Sequence, residues 1–359
     1  MSKFEDLTVS APGRICLFGD HQDFLGLAVI AAAIDRQITI HGKPRNDQEI
    51  HLNLPDIGQT DAFNLQDDIP YRGSRDYLRS VINVLRRDGV TWPMGFDCTI
   101  RGTIPINAGV SSSSALVIAW SHFLLAASDR TTPPDAIEVA RIGHQAEVLE
   151  FNEPGGMMDH YTSSLGGIVY IDCRGEITVD PLSIQLDGFI LGDSLEPKDT
   201  MGVLKQSKEA ALLGWRLMKN DMPEFDFRTT TLDQVEPYLD SLPTGARDKV
   251  HANLVNWDIT CRARELLTDC SFDSDQLGLL INAHHAMLRD GIGVSTPRIE
   301  KMISAALGAG ASGAKVNGSG GGGCMIAYAP GHEEDVVKAI NAAGGKAAKV
   351  NIVDGARVV

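Results

Sequence analysis

The sequence has no apolar run long enough to cross a bilayer. Its most apolar early stretch, LAVIAAAI from Leu27 to Ile34, is eight residues long, whereas a span needs about 20. Positive charge is short as well: 32 Lys and Arg stand against 47 Asp and Glu, a formal net charge of −15. That balance sets aside a nucleic-acid backbone or an anionic membrane as the main partner. It leaves room for an anionic small ligand held by helix N-termini and a few local cations. The six cysteines (Cys16, Cys98, Cys173, Cys261, Cys270, Cys324) include no CxxC pair. They read as buried small side chains or free thiols in a reducing compartment. The opening MSKFEDLTVSAPGR carries acids and lacks an apolar h-region, so a signal peptide is not expected there. A soluble, cytoplasmic protein is expected. Internal repeats, coiled coils and low-complexity linkers are also missing.

What is present is an ordinary globular composition, 43% apolar and 22% charged over 359 residues, enough for one large or two medium domains. Short β-like runs come first: RICLFG, AVIAAAI, RQITIHG and EIHLNL, the last with period-2 alternation in IHLNL. A helix is predicted around Asp76 to Arg87, then a strand in FDCTIRGTIP. ALVIAWSHFLLAA is apolar nearly all round, as a buried helix is. Pro133 and Pro134 introduce a further helix, in which Val139, Ile142, Ala146 and Leu149 share one face. GIVYIDC and FILGD read as strands, 198–306 as mostly helical. The last sixty or so residues read strand, Gly-rich loop, strand, helix, strand. The shift from β-rich to helix-rich near residue 190 divides the chain into 1–190 and 191–359, two packed α+β lobes.

Four segments carry chemistry. In APGRICLFGDHQDFLG, Arg14 precedes a loop holding Asp20, His21 and Asp23, a hydrogen-bonding set suited to a polyhydroxylated ligand, although turns use the same residues for backbone reasons. In GTIPINAGVSSSSALVIAW, a loop and a hydroxyl run from Gly109 through Ser111, Ser112, Ser113 and Ser114 lead into the buried helix. Free N–H groups and the helix dipole make an anion site there, and capping needs one serine rather than four. In GAKVNGSGGGGCMIAY, Gly318 to Gly323 fits GxGxxG, but a β-like run follows where a dinucleotide fold needs a helix. No Gly-Lys-Ser/Thr ends the loop, and HRD and DFG are absent from the chain. Such a dense Gly run suggests backbone packed against another segment or a ligand. In HQAEVLEFNEPGGMMDHYTSSLGG, Glu147 lies near a helix end and Asp159 follows a Gly-Gly turn, either as a partly desolvated base or as a helix cap.

In this order the four segments resemble the GHMP kinase superfamily, and within it galactokinases. The GR-x4-GEHxDY signature is matched by GRICLFGDHQDF (Gly13 to Phe24), and the GLSSSAA phosphate loop by GVSSSSA (Gly109, Val110, Ser111 to Ser114, Ala115). The QxAExxF…GxMDQ stretch is matched by QAEVLEF…GMMDH, and GAKxTGAGxGGC by GAKVNGSGGGGC. NxxHxxLR…VSTPxLD is matched by NAHHAMLRDGIGVSTPRIE. The resemblance implies a two-lobed GHMP kinase fold, with a ribosomal-protein-like N-terminal lobe bearing the Ser-rich loop and a ferredoxin-like C-terminal lobe. It implies ATP- and Mg2+-dependent phosphorylation of a monosaccharide, giving a sugar 1-phosphate. By the same resemblance Asp159 faces the acceptor hydroxyl and Arg14 stabilises charge beside it. Ser113 and Glu147 ligate Mg2+, the Gly109–Ala115 loop cradles the ATP phosphates, and Asp20, His21, Asp23 and Gly156 hold the sugar.

The chain departs from the galactokinase pattern at Asp20, one methylene shorter than the expected Glu, and at Phe24 in place of Tyr. It also lacks a tyrosine anywhere between Leu191 and Ala210, where galactokinases carry one against the sugar. A missing hydrogen-bonding partner changes discrimination, so a pentose, a uronic acid or a substituted hexose stands beside galactose as acceptor. Two other readings share the fold: a catalytically silent sugar-and-ATP sensor, and a kinase for a non-sugar alcohol such as mevalonate. Intact Arg14, Glu147 and Asp159 favour the enzyme, and the Asp-His-Gln-Asp cluster favours a polyol. His284 and His285 are expected to be packing residues, since neighbours on a helix point about 100° apart.

Overall fold

The computed structural model describes residues 6–65, 69–105, 108–197 and 200–359, so the loop positions 106–107 and the pair 198–199 of the helical stretch lie outside the described residues. In chain order the first half runs β1 (Leu7–Phe18), β2 (Val29–Pro44), β3 (Glu49–Leu54), β4 (Gln59–Asn64), α1 (Tyr77–Arg87), β5 (Phe96–Gly102), α2 (Ser112–Ala126), α3 (Ala136–His144), α4 (Met158–Leu165), β6 (Ile168–Asp172) and β7 (Thr178–Leu182). It continues with β8 (Phe189–Asp193), α5 (Thr200–Asp221), α6 (Leu232–Leu239), α7 (Thr244–Thr268), α8 (Ser274–Met287) and α9 (Pro297–Gly308). The chain ends with β9 (Gly313–Val316), β10 (Cys324–Tyr328), α10 (Glu333–Ala342), β11 (Lys346–Val350) and β12 (Arg357–Val358).

Two sheets organise these elements. The larger runs β12-β1-β2-β5-β3-β4, with β6 and β7 branching from β2; the smaller is antiparallel, β11-β8-β10-β9. AVIAAAI and RQITIHG, read as separate runs, form one long strand, β2. Its first six residues are all buried, which is why they show no alternation: both faces are covered. In β3, where one face meets solvent, Ile50 and Leu52 are buried and His51 and Asn53 are exposed. The hairpin strands β4 and β7 escape the sequence reading because Gln59–Asn64 and Thr178–Leu182 are mostly polar or exposed.

The apolar α2 is central to the N-terminal layer. Trp120 and Phe123 are fully buried and stack at 5.5 Å, and aromatic pairs of this kind add to simple area burial. α2 packs on β1 and β2 and is flanked by α1, α3 and α4. All six cysteines are free thiols, four of them buried. Among the described residues no helix is long and apolar enough to cross a membrane.

One expectation about α3 fails in an informative way. Val139, Ile142 and Ala146 are buried, but Leu149 is 62% exposed. The helix ends in a π turn over Gln145–Leu149, closed by Glu150 N–H donating to Gln145 O at 2.9 Å. An i→i+5 turn inserts one residue, so every side chain after it rotates by about 100°. Leu149 swings out, and Glu147 and Val148 become buried.

Candidate active site

The site forms where the two sheets meet, at the ends of β1, α2 and α4 and the β9–β10 hairpin. Arg14 lies within β1 and is 4% exposed. Its Nε donates to Asp159 Oδ1 at 2.8 Å and its Nη1 donates to Gly109 O at 2.7 Å. Asp159 stands in the first turn of α4, half-buried. Burial pushes its carboxyl up, but Arg14 and the Ser111 hydroxyl more than offset this and hold it below the usual carboxylate range. The group is therefore ionised at neutral pH.

Ser111 is the N-cap of α2 and has φ of 60°. This left-handed residue turns the chain from the loop into the helix, and Ser112 to Ser114, whose N–H groups in the first turn have no intrahelical acceptor, line the cavity. The loop behind is fixed by its carbonyls: Gly109 O accepts from Arg14 and from Asn317 Nδ2 at 2.8 Å, and Ala108 O accepts from Cys324 N–H at 2.8 Å. The sequence groups Val110 and Ala115 with this loop, but both are fully buried in the core, so their side chains do not reach the cavity.

Glu147, turned inward by the π turn, is 5% exposed. Its Oε2 lies 2.8 Å from His160 Nε2. Burial raises its pKa, yet His160 and the Ser113 and Ser114 hydroxyls outweigh that and lower it overall. A carboxylate beside two hydroxyls is an all-oxygen donor set of the kind a hard cation such as Mg2+ takes. Among the described residues no group of three or more His, Cys, Asp or Glu is arranged to hold a metal.

His21, Asp23 and Gly156 line the same cavity as Arg14, Asp20, Ser111 to Ser114, Glu147 and Asp159. His21 Nε2 is 3.0 Å from Ser319 O. Asp23 Oδ1 accepts from Phe24 N–H at 2.9 Å, and burial, then the charge of Asp159, raise its pKa to about 6. Gly156 leaves the space this carboxylate occupies, since a Cβ there would lie 1.7 Å from Asp23 Oδ2.

Asp20 differs from its neighbours. Its side chain is 0% exposed. Oδ2 accepts from Lys315 Nζ at 2.7 Å and Oδ1 from Gly318 N–H at 2.7 Å. These bonds engage both carboxylate oxygens of this cavity-lining residue with the C-terminal hairpin. That hairpin is the Gly-rich segment, and its fit explains one glycine directly. Gly318 has φ of 71°, and a Cβ on it would meet Gly109 O at 2.8 Å. Asn317 completes the join, its Oδ1 accepting from Cys16 N–H at 2.8 Å. His284 is fully buried near Asp20, and His285 bonds Glu300 at 2.9 Å, so the two rings serve different neighbours.

His160, Lys315, Asn317 and Arg75 carry no role in the sequence reading. A usable signal existed for Lys315, a lone cation in the short apolar strand GAKV. For His160 the signal was its place directly after Asp159, where one helical step turns it toward Glu147.

The family profile described as GHMP kinases N terminal domain matches residues 76–167, GHMP kinases C terminal matches 263–346, and Galactokinase galactose-binding signature matches 2–44. A mevalonate kinase of Thermococcus onnurineus is 30% identical over 353 residues, covering 94% of this chain and 93% of its own. A galactokinase of Actinobacillus succinogenes is 27% identical over 365 residues, covering 94% and 89%. Among solved structures, the Lactococcus lactis galactokinase complexed with galactose superposes with a TM-score of 0.88 at 21% identity, covering 99% of this chain and 95% of that one. The Methanococcus jannaschii mevalonate kinase gives 0.74 at 19%, covering 98% and 100%. The two-lobed α+β fold, with a serine run at a helix N-terminus, is that of a small-molecule kinase. The chain belongs to the GHMP kinase family, and it is a phosphotransferase acting on an alcohol group.

Proposed function

We propose that the chain phosphorylates a monosaccharide at its anomeric hydroxyl, with ATP as donor and Mg2+ as cofactor, in the cytoplasm. The observation that carries this is the ionised Asp159, bonded to Arg14 at 2.8 Å and set between the serine loop and the His21–Asp23–Gly156 pocket. The match of the galactose-binding signature to residues 2–44 supports a sugar. Asp159 orients the acceptor hydroxyl and takes its proton as the phosphoryl group transfers; Arg14 keeps Asp159 ionised and offsets charge as it develops. The Gly109–Ala115 loop holds the phosphates through backbone N–H groups and the Ser111 to Ser114 hydroxyls. Ser113 and Glu147 would hold Mg2+, which would neutralise phosphate charge when bound, and His160 fixes the Glu147 carboxylate. Phosphoryl transfer asks for this kind of positioning and charge compensation more than for covalent chemistry. His21, Asp23 and Gly156 receive the sugar, and Asp20 shapes that pocket from behind. Residues 1–190 and 191–359 are proposed as the two lobes, with β12 returning to the first sheet at Val9 and Ser10.

A panel assay of ADP release with Mg·ATP tests this, using galactose, arabinose, fucose, galacturonate, glucuronate, N-acetylhexosamines and mevalonate, with the phosphorylated position assigned by NMR. One strong sugar with a 1-phosphate product supports the proposal. The similarity to mevalonate kinases keeps a non-sugar acceptor as the second reading, and turnover of mevalonate alone would replace the first. No turnover, with sugar-dependent thermal stabilisation, would point to a sensor.

Two results follow for the sugar pocket. With its pKa raised to about 6, Asp23 accepts from hydroxyls most strongly when ionised, so kcat/KM for the acceptor is expected to fall as pH drops below that value, because this ratio reports groups of the free enzyme. Asp23→Asn should lower kcat/KM and remove the inflection. Gly156→Ala should displace the Asp23 carboxylate and raise the acceptor KM about tenfold, leaving the KM for ATP unchanged. Parallel rises in both KM values would argue against the division of the cavity.

A further inference from the structure

We infer that Arg75 is the cation that grips the polyphosphate of the nucleotide, an inference that rests on the proposed nucleotide site. Polyphosphate needs positive charge, and this sequence has no phosphate-loop lysine. Among the described residues lining the cavity, Arg14 and Arg75 are the Arg or Lys side chains. Arg14 is buried and committed to Asp159 and Gly109 O. Arg75 is 45% exposed.

Its position fits the phosphate end rather than the sugar end. Arg75 lies just before Asp76, the N-cap of α1, and α1 is tied to both elements that carry the proposed phosphate and Mg2+ groups. Trp120 Nε1 of α2 donates to Leu78 O at 2.9 Å, and Ser80 Oγ donates to Ala146 O in the π turn at 2.7 Å. The negative charge of Glu147 acts on the Arg75 guanidinium.

The side chain is also held ready. Arg75 has φ of 68°, a left-handed conformation uncommon for a long side chain and one found where the surroundings enforce it. Its Nε donates to Tyr77 Oη at 2.5 Å and lies 3.2 Å from Glu153 Oε1, while Tyr77 Oη donates to the same Glu153 oxygen at 2.6 Å. Both contacts use Nε and spend neither Nη1 nor Nη2. Those two groups form the planar fork that meets phosphate oxygens in a bidentate manner. Tyr77 and Glu153 thus act as a clamp on the stem of the guanidinium with its donors left for a ligand.

Calorimetric titration of wild type, Arg75→Gly and Arg75→Lys with the Mg2+ complexes of AMP, ADP and a non-hydrolysable ATP analogue tests this. Glycine suits the positive φ, so the variant should keep its fold, checked by thermal melting without ligand. The expected result is about tenfold weaker binding of the triphosphate analogue by Arg75→Gly, a smaller loss for ADP and almost none for AMP. Arg75→Lys should recover part of the loss. An equal loss for all three nucleotides would assign Arg75 a structural role and overturn the inference, as would unchanged binding. If wild type binds none of the three, the nucleotide site itself fails, and that outcome is distinct from either.

Discussion

Asp159→Asn is expected to lower kcat by about 10²–10⁴-fold while nucleotide affinity stays within about twofold of wild type. Asparagine is nearly isosteric, and its Oδ1 can still accept from Arg14 Nε, so the 2.8 Å contact need not be lost. What disappears is the negative charge and the ability to take a proton. Because Arg14 and Ser111 hold this carboxyl below its usual range despite burial, it is ionised across the neutral range and is a weak base. Its contribution is therefore greatest late in transfer, when the hydroxyl proton has become acidic. The acid limb near pH 6 is assigned to Asp23, whose pKa is raised by burial and then by the charge of Asp159, so in any residual activity of Asp159→Asn it should remain but move to lower pH. Wild-type kcat in this variant would remove Asp159 from the chemistry. Loss of nucleotide binding in parallel would mean the substitution had collapsed the serine loop.

Breaking the buried pair between Asp20 and Lys315 should have the largest effect on stability. Both side chains are 0% exposed, and removing one partner leaves an uncompensated charge in a dry site, which costs about 3–5 kcal/mol. Lys315→Met is expected to lower unfolding stability by that amount in denaturant titrations. Replacing both, as Asp20→Asn with Lys315→Met, should restore a substantial part, since a neutral pair has no buried charge to desolvate. Burial pushes the Asp20 carboxyl up, but Lys315 draws it below its usual value. The folded-state pKa is therefore depressed. Its stabilisation is present above the unfolded carboxyl pKa of about 3.9 and is lost as pH falls through the depressed value. Strict additivity of the two single substitutions would show that the pair is not coupled.

Much of the fold is legible along the chain because its signals are local. The all-apolar segment after the serines became α2, the period-2 run became β3, and the Gly-rich stretch between two apolar runs became the turn between β9 and β10. The serine run was legible from its residue chemistry, whereas Arg14 and Asp159 were joined to it by the resemblance of the motif order. Leu149 was misplaced because helical periodicity assumes 3.6 residues per turn throughout, and no local residue type announces a π turn.

The sequence by itself determined the element order, the polarity of each face and the four segments from which the site is assembled. Those follow from side-chain burial and turn preference, which act over a few neighbouring residues. Only the tertiary structure decided which acid of the Asp-His-Gln-Asp cluster faces the cavity and which is enclosed, because that depends on Lys315, 295 positions away. It likewise paired Glu147 with His160, and it brought Arg75 to the rim of the same cavity. Electrostatic partners are selected by distance and burial in space, and neither quantity is written in the order of the residues.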